Sequence, residues 1–420
     1  MTERVPLHPD EALSIVHSAP VSAPSLETVP LTESLGRALP HSVLAPMDSP
    51  PFDKAAMDGF AVRADDESAR FRIVETIAAG EVPGGAAAPR GAAAPGGAGS
   101  TSPTGATGPT GGLQPGECAR IMTGARVPVG TGRVVRVEFT EVNEGWMRLT
   151  QPEPLGNVIR RGENARAGSD LLTPRVLGPA DLAVLAAMGI GSVSVAVRPV
   201  VGVIATGSEL RLPGEPLSDG QIYNSNSFSL CAQARQAGAL TTDHGIVRDD
   251  RAVMTQTIAR ALAESDVLLL SGGVSMGDYD YVPEVLAECG VTVRFHKLRI
   301  KPGKPTLFGT TDRGFVFGLP GNPASTYVLF ELFVAPLIQR LMGLTHEPTV
   351  HRGELAVDLS RRVADRVEYL PARLTDGVVE PCAYRGSNHI NSVADANCLI
   401  RMELDQTHIA QGSVVHVRQI

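Results

Sequence analysis

The sequence predicts a multidomain α/β plus β protein, and three observations support this fold class. First, 420 residues exceed the usual size of a single domain, so roughly two to four domains are expected. Second, residues 200–342 alternate buried strands with helices, which is typical of a parallel-rich sheet covered on both faces. Third, the segments on either side show short runs of alternating apolar and polar residues, which favour β-structure.

The amino-terminal part combines helices with short strands. Residues 10–19 carry apolar side chains at helical spacing, and Thr32 can cap a second helix that continues to Leu39. Strand-like alternation follows at Phe60–Val62 and Phe71–Ile77. This pattern predicts a helical start followed by a small β-rich domain.

The central part is defined by continuous apolar strands, namely Val200–Ala205, Val267–Leu270 and Phe315–Leu319. Helices are expected between and after them, at Asn226–Ala237, Ala252–Ala263 and Ala324–Met342. Asp249 and Asp250 can cap the second of these helices. Beyond Pro348, short alternating runs predict a small all-β carboxyl-terminal domain.

These elements divide the chain into four parts and one insertion. The parts are residues 1–47 with 154–198 as a linking region, 48–153 as a β-rich domain, 199–345 as an α/β domain and 346–420 as a β domain. Residues 84–112 consist almost entirely of Gly, Ala, Pro, Ser and Thr. Such a composition buries too little apolar surface to offset its ordering entropy, so we expect a flexible insertion.

Composition excludes several classes of protein. The net charge of −8 argues against nucleic-acid binding. No run reaches about 18 apolar residues, so no membrane span is expected and the protein should be cytoplasmic. The five cysteines are odd in number and form no Cys-x-x-Cys pair, so buried thiols are favoured over disulfides or zinc ligands.

Glycine-rich loops follow three strands of the α/β part. They are Thr206–Leu210, Ser271–Asp280 and Pro320–Ser325. In α/β sheets, ligands bind beyond the carboxyl ends of the strands, and small residues let backbone N–H groups approach a phosphate. The three loops therefore predict a phosphorylated ligand at this edge.

The distribution of lysine points to the same ligand. The chain has four lysines, and Lys297, Lys301 and Lys304 fall within one run of eight residues. Every other basic side chain except Lys54 and the histidines is arginine. A compact ammonium group suits a tight phosphate or oxyanion pocket, so we expect these lysines to form one.

Carboxylates near the strand ends are candidates for metal or substrate contact. They are Glu209, Asp249, Asp278 and Asp280. Asp249 is equally well explained as a helix cap, and both interpretations stay open. Asp280 closes the second glycine loop, where an acidic group beside a phosphate commonly indicates Mg²⁺ between them.

Seven motifs in one order resemble those of the molybdopterin molybdenumtransferase family, typified by bacterial MoeA and the E domain of gephyrin. The motifs are Ala56–Ala61, Arg120–Ala125, Arg161–Glu163, Thr206–Leu210, Ser271–Ser275, Lys301–Pro305 and Gly318–Pro323. The resemblance implies an α/β molybdopterin-binding domain, a β-rich lid domain, an elongated amino-terminal linking region and a carboxyl-terminal β-barrel. It also implies a homodimer with its site in a cleft where two subunits meet.

The activity that the resemblance implies is insertion of molybdate into adenylylated molybdopterin with release of AMP, assisted by Mg²⁺. A MogA-type adenylyltransferase is the implied protein partner. By motif, the acidic functional positions are Asp58, Glu209, Asp249 and Asp280, the last two as Mg²⁺ ligands. The implied substrate contacts are Thr123, Ser271, Gly272, Gly273, Ser275, Lys297, Lys301, Lys304, Pro320, Gly321 and Asn322.

Three departures from the family pattern keep other functions open. Asn164 stands where the family has an aspartate, the segment Gly130–Val135 with Arg133 lacks a second acidic residue of the family pattern, and Asn388 replaces a glycine. Loss of two carboxylates is compatible with a carrier that binds the adenylate without cleaving it. A MogA-type adenylyltransferase, which shares the α/β unit, is the other alternative.

Overall fold

The computed structural model describes residues 6–84, 112–248, 250–273 and 282–420. The chain divides into two units. The first comprises Met1–His41, Pro174–Leu182 and Gly191–Ile420, and the second comprises Ser42–Thr173 and Ala183–Ile190. The predicted insertion lies, except for its end residues Gly84 and Gly112, outside the described residues.

The α-helices are α1 Pro9–Ser18, α2 Pro179–Ala187, α3 Asn226–Gln236, α4 Arg251–Glu264, α5 Val282–Glu288, α6 Pro323–Leu329, α7 Ala335–Leu341 and α8 Asn391–Ala394. Single turns of 3₁₀-helix occur at Leu31–Glu33 and Val137–Phe139, and a π-helix occupies Phe330–Val334. The predicted cap of α4 is confirmed for Asp250, whose Oδ1 accepts from the N–H of Val253 at 3.0 Å.

The strands before residue 199 are β1 Leu26–Pro30, β2 Ala38–Leu39, β3 Val43–Leu44, β4 Lys54–Ala55, β5 Gly59–Arg63, β6 Arg70–Ile77, β7 Glu117–Ile121, β8 Thr131–Arg136, β9 Thr140–Asn143, β10 Trp146–Leu149, β11 Val158–Ile159, β12 Asp170–Leu172, β13 Arg175–Val176 and β14 Ser192–Ala196. Those after it are β15 Val200–Thr206, β16 Leu210–Arg211, β17 Ile222–Tyr223, β18 Leu240–Val247, β19 Val267–Ser271, β20 Thr292–Phe295, β21 Ile300–Lys301, β22 Leu307–Thr310, β23 Phe315–Leu319, β24 Val350–Leu355, β25 Leu359–Ser360, β26 Val367–Thr375, β27 Val378–Pro381, β28 Cys398–Met402, β29 His408–Ile409 and β30 Val414–Gln419.

A six-stranded sheet in the order β8-β5-β7-β6-β10-β9 forms the second unit, as the alternating pattern predicts. Neighbouring side chains on a strand point to opposite faces, and both faces are apolar here. Phe60 and Val62 pack in one cluster with Phe71 and Met147, whereas Ala61 belongs to a cluster on the other side. The sheet is therefore the core of this unit.

A second six-stranded sheet, in the order β18-β15-β19-β23-β22-β20, lies in the first unit. Strands β18, β15, β19 and β23 are mutually parallel, whereas β22 pairs antiparallel with both β23 and the edge strand β20. Separate apolar clusters cover the two faces, one including residues of α3 and α6 and the other including residues of α4 and α5. The predicted parallel-rich α/β arrangement is confirmed.

The carboxyl-terminal region closes into a five-stranded barrel. Strands follow one another in the order β26-β27-β24-β30-β28, and β28 pairs again with β26. The short strand β21 of the α/β part adds to β26 in parallel register, with Lys301 opposite Glu368. The predicted β-barrel is confirmed, and β21 ties it to the lysine run.

Two helix predictions in the sequence differ from the structure. Instead of a helix from Thr32 to Leu39, one 3₁₀ turn is followed by Gly36 at φ 72° and by strand β2, which pairs with β13. The long helix after residue 323 is interrupted by the π-helix. Pro336 has no N–H to donate four residues back, so the regular hydrogen-bond ladder cannot continue there.

The predicted buried thiols are found at three of the five cysteines, whereas Cys289 and Cys382 are half-buried. All five are free thiols, and Cys118, Cys231 and Cys398 are buried. Across the described ranges, no helix combines the length and apolar character needed to span a bilayer.

Candidate functional site

Parallel strand order brings the predicted glycine loops together. Thr206, Ser271 and Leu319 end the neighbouring strands β15, β19 and β23, and their carboxyl ends share one edge of the sheet. The N–H of Gly272 donates to the carbonyl of Leu319 at 3.0 Å, which links the second loop to the third. The sequence-predicted residues Ser271, Gly272 and Gly321 are therefore neighbours.

Gly272 and Gly273 are glycine for a steric reason. Both have positive φ, 94° and 63°, which other residues rarely adopt. A Cβ at Gly272 would lie 2.5 Å from the carbonyl oxygen of Thr206, and one at Gly273 would lie 2.8 Å from the Thr206 hydroxyl. The loop consequently packs its backbone directly on the end of β15.

Asn226, which the motifs did not single out, connects two of these loops. Its Nδ2 donates to the hydroxyl of Ser271 at 2.7 Å and to the carbonyl of Gly321 at 2.8 Å. Asn226 and Ser271 are both buried. The sequence did contain a signal for this role, because Asn226 is a polar residue at the start of a predicted helix. Sequence reasoning interpreted it only as the beginning of that helix.

The third loop is held by its own helix and by the barrel region. The hydroxyl of Thr326 donates to the carbonyl of Pro320 at 2.6 Å. Asn322, predicted as a substrate contact, donates from Nδ2 to the hydroxyl of Ser387 at 2.7 Å, and the Ser387 carbonyl accepts from the N–H of Ala324. Ser387 is a second neighbour that sequence reasoning missed.

The three lysines share one short loop but have different surroundings. The N–H of Leu298 donates to the carbonyl of Lys304 at 2.9 Å, which closes the loop on itself. Lys297 is half-buried and Lys304 is exposed. The Nζ of Lys301 lies 2.8 Å from a carboxylate oxygen of Glu368, an ion pair that the sequence did not indicate.

The predicted acidic and metal-binding positions are only partly described. Glu209 is exposed after β15, with its carboxylate folded back over Gly207. Asp249, Ser275, Asp278 and Asp280 lie outside the described residues. Among the residues that the structure does describe, no three acidic, histidine or cysteine side chains cluster as a metal site, so the Mg²⁺ assignment stays a prediction.

Asp58 and Thr123, which belong to separate sequence motifs, meet in the second unit. Asp58 precedes β5 and Thr123 follows β7, and the antiparallel pairing of Gly59 with Ile121 places both at one end. Asp58 Oδ1 accepts from the Thr123 N–H at 2.6 Å and from its hydroxyl at 2.8 Å. The hydrogen bond from the Thr123 N–H, and after it the one from the Thr123 hydroxyl, lowers the pKa of Asp58 below its usual value.

The loop that carries Asn164 is fixed by neighbouring carboxylates. Asp53 accepts from the N–H of Arg161 and from Nη1 of Arg160, both at 2.7 Å. Glu163 accepts from the Arg160 N–H at 2.8 Å, so its carboxylate serves the loop backbone. Asn164 itself is exposed, and its N–H donates to the carbonyl of Ser49. These contacts engage one oxygen of the exposed Glu163 carboxylate with the loop backbone.

The two remaining departures lie apart from the hydrogen bonds just described. Arg133 on β8 donates from Nη2 to the carbonyl of Asp66 at 3.3 Å. Asn388 is exposed and accepts at its carbonyl from the N–H of Ile390. Arg133 therefore makes a contact of its own within the sheet unit.

A cavity of about 710 Å³ occupies the opposite, amino-terminal edge of the α/β sheet. Arg198, Asp266, Arg294 and Arg313 are among its lining residues. Of the sequence-predicted site residues that the structure describes, none lines it. The candidate site is thus assigned to the carboxyl edge on the geometry of its loops, not on the size of a cavity.

Comparison with known proteins covers nearly the whole chain. Three family descriptions match in succession: the MoeA N-terminal region (domain I and II) at residues 7–189, a probable molybdopterin binding domain at 202–340 and the MoeA C-terminal region (domain IV) at 352–420. The molybdopterin molybdenumtransferase of a Nostoc species is 35% identical over 99% of this chain and 96% of its own length. This chain belongs to the molybdopterin molybdenumtransferase family.

Other relatives agree with this membership. The molybdopterin molybdenumtransferase of Bacillus subtilis is 34% identical over 99% of this chain and 95% of its own length. The crystal structure of the molybdopterin biosynthesis MoeA protein from Pyrococcus horikoshii matches with a TM-score of 0.78 and 31% identity, covering 99% of both chains. This molecule therefore has a MoeA-type multidomain fold.

Proposed function

We propose that this chain inserts molybdate into adenylylated molybdopterin and releases AMP. The observation that carries the proposal is its similarity to enzymes named molybdopterin molybdenumtransferase over 99% of its length. The site geometry supports it, because Ser271, Gly272 and Gly321 meet at the edge where α/β sheets bind phosphorylated ligands.

The residues present suit an anionic substrate. Gly272 and Gly273 leave no side chain between the loop backbone and an incoming phosphate, and the hydroxyl of Ser271 is oriented by Asn226. We assign Lys297, Lys301 and Lys304 to the phosphate and molybdate oxygens. We propose that three carboxylates take part in the reaction, namely those of Glu209, Asp249 and Asp280. Asp249 and Asp280 would hold Mg²⁺, which supplies charge neutralisation when bound.

The test is incubation of purified protein with adenylylated molybdopterin, molybdate and Mg²⁺, with AMP measured by chromatography. We expect AMP release that depends on molybdate. Binding of the adenylate without cleavage would instead identify a carrier. Synthesis of the adenylate from ATP and molybdopterin would identify an adenylyltransferase.

We further propose a homodimer in the cytoplasm that receives its substrate from a MogA-type adenylyltransferase. The family resemblance implies a cleft completed by two subunits. Mixing an Asp58→Ala protein with a Lys301→Ala protein should then restore activity, because one heterodimer site would contain neither substitution. No recovery after verified subunit exchange would contradict the shared site.

A further inference from the structure

Glu368 is a buried carboxylate with two cationic partners. Its side chain, on β26 of the barrel, is 5% exposed. Lys301 Nζ lies 2.8 Å from Oε1, and Arg361 Nη1 lies 3.3 Å from Oε2. An ionised carboxylate is costly to bury unless it is paired, so these contacts are part of what allows Glu368 to occupy this position.

The two cations have different freedom. The side chain of Arg361 is 8% exposed. Its guanidinium donates to the backbone carbonyls of Gln406 and Arg366, each at 2.8 Å, and to that of Glu403. The Lys301 side chain is 44% exposed. Arg361 is therefore built into the barrel, whereas Lys301 extends from the buried carboxylate to the surface.

Backbone register fixes Lys301 against the barrel. Strands β21 and β26 run parallel with Lys301 and Glu368 as direct partners. Lys297 and Lys304 differ, since neither has a carboxylate within ion-pair distance among the residues described. Of the three clustered lysines, Lys301 is thus the one whose ammonium position is set by a second domain.

The ion pair does not saturate the ammonium group. An ammonium has three N–H donors, and Glu368 accepts from one side of it. Lys301 and Arg361 together carry two positive charges against one on Glu368, so the cluster keeps a net positive charge. Remaining donors and a net charge are what an anionic ligand requires.

The barrel segment after β27 links this cluster to the glycine loop. Burial, and to a lesser extent the charge of Glu368, raises the pKa of Tyr384 in this segment to about 12. Ser387 accepts from Asn322 at 2.7 Å. The lysine run also packs on the helix that follows Asn322, because a Cβ at Gly303, two residues after Lys301, would lie 2.6 Å from Cδ1 of Leu329 in α6.

We propose that Glu368 is a positioning residue, which holds the Lys301 ammonium where it meets the anionic substrate. This inference rests on the proposed function. Glu368 acts through Lys301 and does not itself contact an anion, because like charges repel. The carboxyl-terminal barrel thereby contributes to the chemistry of the α/β site.

The kinetic test is a double-mutant cycle in the full-length protein, with AMP release as the readout. Lys301→Met and Glu368→Gln should each lower kcat/KM, by about tenfold and about threefold, mainly through a higher KM. In the Lys301→Met background, Glu368→Gln should change kcat/KM by less than about twofold. Independent, multiplicative losses would overturn the proposal, because a residue that only stabilises the barrel does not depend on Lys301.

A second readout does not depend on activity. With four lysines in the chain, trace acetylation followed by mass spectrometry resolves each amine. Lys301 should react more slowly than Lys304, and Glu368→Gln should raise labelling of Lys301 but not of Lys304. Unchanged Lys301 labelling in folded protein would overturn the positioning role. If Glu368→Gln does not fold, Glu368→Asp, which keeps the charge beside Arg361, provides the same comparison.

The two readouts separate two failures. Absence of AMP release by the wild-type protein would reject the proposed function, while labelling still decides whether Glu368 holds Lys301. Normal AMP release, together with unchanged Lys301 labelling and multiplicative mutational effects, would reject the positioning role of Glu368 and leave the proposed function standing.

Discussion

The site residues of the α/β part and those of the β-rich unit are built in different ways. Ser271, Asn226 and Thr206 are buried and continuous with the packing of the sheet. Asp58 and Thr123 are exposed and meet because two antiparallel strands end together. Changes at the first region should therefore affect stability and activity together, whereas changes at the second should affect chemistry alone.

The largest effect is expected from Asn164→Asp in the β-rich unit. Asn164 is exposed and carries no charge, and the neighbouring Glu163 accepts from the loop backbone. A positioned catalytic carboxylate contributes about 10²–10⁴-fold, so single-turnover AMP release should rise by about 10²-fold or more. Affinity for the adenylate and the melting temperature should stay unchanged. Equal rates for the two proteins would show that the missing carboxylate at position 164 does not limit AMP release.

Gly272→Ala tests whether stability and activity fall together at the carboxyl edge of the α/β sheet. The new Cβ would lie 2.5 Å from the Thr206 carbonyl oxygen at a φ of 94°. Strain of this kind costs about 1–3 kcal/mol, so the free energy of unfolding should fall by about 2 kcal/mol and activity should fall with it. Gly321→Ala is the matched control, because its Cβ would be 3.8 Å from its nearest neighbour. Equal denaturant midpoints for both variants would contradict the tight packing.

Lys301→Ala should weaken binding of the adenylate by about tenfold, because one charge-assisted contact contributes about 1.5–3 kcal/mol. Lys54→Ala, which removes a lysine outside the run, is the control. Isothermal titration calorimetry measures both affinities. Unchanged affinity for Lys301→Ala would remove this lysine from the binding site.

Thr123→Val should change the titration of Asp58 with little effect on stability. The pKa of Asp58 is lowered by the Thr123 N–H and hydroxyl, so their interaction stabilises the folded state above the normal carboxyl pKa and is lost as pH falls through the lowered value. Valine keeps the N–H, so the pKa should rise only part of the way to normal. Carboxyl ¹³C NMR titration measures the rise, and an unchanged value would mean that the hydroxyl contributes nothing.

The smallest effect is expected from replacing residues 85–111 with a short Gly-Ser turn. Long surface insertions cost little to close, and the core of this unit is formed by strands outside the segment. The melting temperature should stay within about 2 °C of the wild-type value. A large decrease would show that the segment packs against the unit.

The fold class follows from the sequence alone, because continuous apolar strands alternating with helices have few packing solutions other than a parallel-rich sheet. It also located the glycine loops, since positive φ and close backbone approach at Gly272 and Gly273 exclude other residues. The π-helix at Phe330–Val334 was foreseeable from Pro336 but was overlooked within an otherwise regular apolar pattern.

The identity of the polar side chains that meet depends on the tertiary structure. Asn226 bonds Ser271 across 45 positions, Asn322 meets Ser387 across 65, and Lys301 pairs with Glu368 through a strand that joins two domains. Such contacts depend on strand order and register, which local patterns do not encode, because one register shift exchanges the faces of every side chain on a strand. Single motifs therefore predicted the residues proposed to contact substrate, whereas the residues that position them, such as Asn226, Ser387 and Glu368, depended on the fold.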